Sequence, residues 1–136
     1  MKKSTTGYNR DTFLKFDLGA SSSVSNAKLR LFGGLSDAIA SSVELAVHSA
    51  DSPWSESTLN WSNRPLVDAT PLATTVVAGT TAKWCEIDLT AYLKTRVASG
   101  SGEVTLVLRS KTATSTLCQF NSDEATSSQP QLVIMT

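Results

Sequence analysis

Among the 136 residues of this chain, the side chains able to do acid–base, nucleophilic or metal chemistry are few and scattered. A glycosidase or lyase needs paired acid and base groups. Asp17, Glu44, Glu86 and Asp88 fall at outward positions of alternating runs, while Asp51, Glu56, Asp68, Asp123 and Glu124 fall in turn-rich segments. No spacing singles out a pair. The one histidine, His48, has no second histidine and no cysteine close in sequence, and no G-x-S-x-G elbow accompanies it. Neither a metal centre nor a Ser-His-Asp arrangement is therefore indicated. Glycine motifs that cradle phosphate are missing as well. Asp123 and Glu124, in NSDEATSS, carry oxygens of the kind calcium accepts, but two adjacent acidic residues are not an EF-hand loop, and a solvated turn is the favoured account of them. The expectation is a protein that is not an enzyme and needs no cofactor, with calcium the one ion these oxygens suggest.

Basic side chains form the more coherent group. Lys2 and Lys3 precede the stretch YNRDTFLKFDL, Arg10 stands at its entrance, Lys15 lies on its outward side, and Lys28 and Arg30 are outward in KLRLF. If these two runs lie in one sheet, Lys15 and Arg30 share a face. A patch of this kind takes an anionic ligand and loses it as salt rises; ordinary solubilising charge is the competing explanation. Trp54 and Trp61, in DSPWSESTLNWSNRP, present flat apolar rings that suit the C–H face of a pyranose. A plug for the end of a β-sandwich is the favoured reading of the same rings, since large aromatics usually serve as cores and lids.

The elements that position these groups read as strands. Leu14, Phe16 and Leu18 alternate with Phe13, Lys15 and Asp17, the period of a half-buried strand. KLRLF follows, with Leu29 and Leu31 inward, and Gly33 and Gly34 are expected to break it. SSVELAVHSA places Val43, Leu45 and Val47 on one face and Glu44, Ala46 and His48 on the other. TTVVA, AKWCEIDL, EVTLVLRS, STLCQFNS and QLVIMT complete eight strand-like runs, the last bounded by Pro130. Within DLTAYLKTRVASG the period becomes helical, through Leu89, Tyr92, Leu93 and Val97. Asp88 or Thr90 is the expected N-cap and Gly100 the expected stop. The fold class implied is all-β, an antiparallel two-sheet sandwich of jelly-roll type with one short helix, as a single domain over residues 1–136.

Twelve Lys and Arg balance twelve Asp and Glu, so no global charge points to nucleic acid or an acidic membrane surface. No apolar run reaches the roughly 18 residues of a membrane-spanning helix. No apolar signal core follows Met1, Lys2 and Lys3, and an export signal is expected to lie outside this stretch. Cys85 and Cys118 have no metal-type spacing; each sits in phase with inward residues, which fits either two buried thiols or a disulfide between neighbouring strands.

Taken in order, YNRDTFLKFDL, AKLRLFG, WSESTLNWSNRP, CEIDLTAYLKTRVASG, VTLVLRS, FNSDEA and QPQLVIMT resemble the DNRLRE-type domain, carbohydrate-binding module family 96. The resemblance covers nearly the whole chain, and WSEST–W–NRP and DLTAYL are its most specific parts. It implies a non-catalytic β-sandwich, appended to secreted bacterial or archaeal polysaccharide-degrading enzymes such as alginate lyases, that binds an acidic polysaccharide such as alginate outside the cell. Carried over by position, the implied substrate-binding residues are Lys2, Lys3, Tyr8, Arg10, Lys15 and Arg30. Domains of this type usually open about one strand earlier, so the first strand of the family pattern is expected to be absent here. That would leave a sheet edge open to homodimerisation by strand pairing. A structural or adhesive cell-surface module with no sugar site of its own is the alternative.

Overall fold

The computed structural model describes residues 11–19, 23–50, 57–60, 62–63, 65–100, 102–112, 114, 116–122 and 125–136. Lys2, Lys3, Tyr8, Arg10, Trp54, Trp61, Asp123 and Glu124 lie outside the described residues. Within them are eight strands and one helix: β1 (Thr12–Asp17), β2 (Asn26–Leu35), β3 (Ser42–Ala50), β4 (Ala73–Ala78), β5 (Lys83–Asp88), α1 (Thr90–Ala98), β6 (Glu103–Ser110), β7 (Cys118–Phe120) and β8 (Gln131–Met135). All eight expected runs are strands, and the one expected helix is present.

Two antiparallel sheets pack face to face. The first has the order β1-β6-β3-β4. In the second, β2 is central: β5 pairs along one edge, while β8 (opposite Asn26–Arg30) and β7 (opposite Gly33–Leu35) share the other. Except at β3–β4 and β7–β8, each connection crosses between the sheets, the alternation of a jelly-roll-type sandwich. Period two drives this packing. Inward residues Leu29 and Leu31, Val43, Leu45 and Val47, and Val104, Leu106 and Leu108 form a buried core, with Leu14 and Phe16 packed against it from β1. Each such side chain contributes about 1.5–3 kcal/mol when fully buried.

Helix α1 closes one end with Leu93 and Val97 buried. The cap differs from expectation. Leu89 is the N-cap and supplies no side-chain hydrogen bond. The carboxylate of Asp88 instead reaches over it and accepts from the Thr90 N–H at 2.9 Å and the Thr90 hydroxyl at 2.5 Å. Thr90 Oγ1 also accepts from the Ala27 N–H at 3.0 Å, tying the helix start to β2. At the other end Gly100, at φ 79°, adopts the left-handed geometry that ends helices, and its N–H donates to Val97 O at 3.0 Å.

Gly33 and Gly34 do not break β2, which runs on to Leu35. Strand β7 passes so close that a Cβ on Gly33 would overlap the Gln119 carbonyl oxygen and lie 2.7 Å from Phe120 Cα. Glycine is required there by a neighbouring backbone rather than by a turn.

Candidate functional site

A cleft of about 760 Å³ opens between β1 of the first sheet and β7 of the second. Period two explains its two characters. The inward phases of both sheets supply an apolar floor that includes Leu31, Leu108 and Phe16, while β1 adds Lys15 and Phe13, and β7 with its following turn adds Gln119, Asn121 and Ser122. The amide side is held in place: the Asn121 N–H donates to Phe32 O at 2.9 Å, extending the β2–β7 pairing by one bond. Asp11 also lines the cleft, but its carboxylate accepts from Arg109 Nε at 3.0 Å and its side chain is only 9% exposed, so its charge is offset. Among the described lining residues Lys15 carries the positive charge, and Asp11, the carboxylate there, is matched by Arg109. In size and in its mixture of apolar floor and polar rim, the cleft falls within the range of small-ligand sites.

The sheet topology separates Lys15 from Arg30. Strands β1 and β2 belong to different sheets, so the shared face expected from sequence does not form. Lys15 lies opposite Thr105 in the first sheet, whereas Arg30 lies between Glu86 and Gln131 in the second. Strand pairing is set by long-range packing, which alternation along a single run cannot report.

Around Arg30 the outer face of the second sheet carries a group that sequence reasoning did not assemble. Arg30 Nε donates to Glu86 at 2.8 Å, Nη1 donates to Gln131 Oε1 at 2.9 Å, and the guanidinium lies over the Trp84 ring with Cζ 4.2 Å from its centroid. Phe32 meets the same indole edge to face at 5.3 Å. Lys28 makes a longer contact to Glu86, at 3.4 Å. The available signal was phase: Phe32 follows Lys28 and Arg30 outward, and Trp84 shares the outward phase of Glu86 and Asp88.

The remaining titratable groups have structural roles. His48 is on the outward face of β3 as expected, yet it is 3% exposed, because the segment around Asp68 covers it. Its Nδ1 donates to Asp68 O at 2.8 Å, and Asp68 N–H donates to Ser49 O at 2.9 Å. Neither Cys85 nor Cys118 is in a disulfide. They pair with β2 from opposite edges, so two strand spacings, about 9–10 Å, separate their strands, beyond the ~7 Å Cα separation a disulfide spans. Burial pushes the Cys118 thiol up to about 11. Among the described residues no three His, Cys, Asp or Glu side chains gather as metal ligands, and no helix is long and apolar enough to cross a membrane.

Comparison with known proteins gives these surfaces a context. The family model described as carbohydrate-binding module family 96 matches residues 1–136. The chain is also 31% identical over 137 aligned positions to a gellan lyase from Bacillus sp., covering 97% of this chain and 6% of that protein. The chain belongs to carbohydrate-binding module family 96 and is a non-catalytic binding module.

Proposed function

We propose that this family 96 module binds an acidic polysaccharide, with alginate the first choice, and holds an attached polysaccharide-degrading enzyme against its substrate outside the cell. The observation that carries the reading is the cleft between β1 and β7, which Lys15 lines together with aromatic and amide residues. A uronate unit brings a carboxylate for the lysine, hydroxyls for Gln119 and Asn121, and C–H faces for the apolar floor. Arg10, Tyr8, Lys3 and Lys2 precede β1 in sequence and are kept in this reading as further candidate contacts to the polymer. The similarity to a gellan lyase makes gellan the second polymer to test and favours a lyase as the attached enzyme.

Single exposed charge pairs contribute only ~0–1 kcal/mol, so one module binds modestly and tethering supplies the rest through local concentration. Electrophoresis through gels containing alginate, gellan or a neutral glucan tests this reading. Retardation by alginate at low salt that disappears at high salt is expected, and equal mobility in the alginate and blank gels refutes it.

A further inference from the structure

The outer face of the second sheet is not used by the acidic-polymer reading. Its Arg30 guanidinium is fixed by three contacts of different kinds: an ion pair through Nε to Glu86, a hydrogen bond through Nη1 to Gln131, and the indole face of Trp84. Nη2 takes part in none of these bonds. The side chains of Arg30 and Glu86 keep 28% and 46% of their surfaces exposed, and Gln131 is exposed as well. A planar guanidinium fixed in this way presents its remaining donors in a defined direction.

We propose that this face is a second glycan-binding site, for a neutral, hydroxyl-rich stretch of polysaccharide. It rests on the chain's membership of a carbohydrate-binding family and not on the acidic-polymer reading. Three features select this ligand. Each sugar hydroxyl both donates and accepts, and here a donor (Arg30 Nη2) sits in one cluster with an acceptor (the Glu86 carboxylate), the combination a vicinal diol requires. Trp84 and Phe32 place apolar ring surface beside these groups, suited to pyranose C–H bonds. Charge is balanced: Lys28 and Arg30 face Glu86 and Asp88 across the β2–β5 pairing. No net positive field draws a polyanion, and Glu86 and Asp88 repel uronate carboxylates. The acidic-polymer cleft lies between the sheets at β1 and β7, whereas this site is on the outer face of the second sheet, and the two differ in charge preference.

Chemical-shift mapping of the full chain tests the proposal, with cellohexaose and mannohexaose as neutral probes and a guluronate hexamer as the contrast. The neutral sugars are expected to shift the Trp84 indole and the Arg30, Glu86 and Gln131 amides, and to do so equally with and without about 0.5 M salt. Arg30→Met and Gln131→Ala are each expected to weaken neutral binding about tenfold, the effect of losing one charge-assisted or one positioning hydrogen bond, while Lys15→Ala leaves it unchanged. Should Arg30→Met fail to fold, the exposed Gln131→Ala carries the test. The proposal is overturned if neither neutral hexaose shifts these residues, or if the Gln131 variant binds as the parent does. Loss of neutral binding alone, with alginate binding retained, removes this proposal and leaves the acidic-polymer reading standing.

Discussion

Replacing Gly33 with alanine probes how the fold builds the cleft. The new methyl would meet the Gln119 carbonyl and sit 2.7 Å from Phe120 Cα, both backbone atoms of β7. Backbone cannot rotate away as a flexible side chain can, so β7 must move. That strand is short: its register is Gly33 with Phe120, Gly34 with Gln119 and Leu35 with Cys118. Overpacking of this kind costs about 1–3 kcal/mol. Gly33 is not among the glycines at positive φ, so the cost comes from crowding and not from backbone strain. For a domain of this size about 1 kcal/mol corresponds to ~3–5 °C in melting temperature, so a fall of roughly 3–15 °C is expected by circular dichroism. Because Gln119, Asn121 and Ser122 ride on β7, amide shifts should spread through this side of the cleft, and alginate retardation should weaken in the folded variant. A melting temperature within about 1 °C of the parent, with β7 amides unmoved, would refute the reasoning.

The two thiols should differ in reactivity. Cys118 is 1% exposed and its thiol is pushed up to about 11, so at pH 8 a disulfide reagent is expected to label Cys85 slowly and Cys118 only on unfolding; equal native rates contradict this. Asp88 predicts a pH effect. Its bonds from the Thr90 hydroxyl and amide hold its carboxyl below the ordinary aspartate value of about 3.9. As pH falls below that value the unfolded chain takes up the proton first, so the stabilisation is complete above it and is lost as pH drops through the lowered native value. The melting-temperature gap between parent and Asp88→Asn should therefore close below about pH 4, and a gap constant from about pH 6 to pH 3 would count against it. Asp37, lowered chiefly by its bond from the Thr116 hydroxyl, remains in that variant and contributes a slope of the same sign to parent and variant alike.

Much of the fold was legible because alternation is a local property. Leu14 and Phe16, Leu29 and Leu31, and Val43, Leu45 and Val47 declared the inward faces of β1, β2 and β3, and the change of period at Leu89 declared the helix. Three features were not local. The assignment of β1 and β2 to different sheets depends on who pairs with whom, which moved Arg30 away from Lys15. Gly33 looked like a breaker because only the passage of β7 explains it. The burial of His48 comes from a segment some twenty positions away that folds over β3. For the candidate sites, outward phase marked Lys15 and Arg30; Phe32 and Trp84 share that phase but were not singled out from the sequence. Their grouping into a β1–β7 cleft and a β2–β5–β8 face required the pairing order.

Calorimetric titration of the parent and Lys15→Ala with a guluronate oligomer, at low and at physiological ionic strength, tests the central claim most directly. The account predicts measurable binding by the parent that weakens with salt, and a loss of up to about fivefold for Lys15→Ala at low salt, as expected for one exposed charge pair of ~0–1 kcal/mol. No heat of binding to the acidic oligomer at low salt, or binding by the parent that salt leaves unchanged, would contradict it.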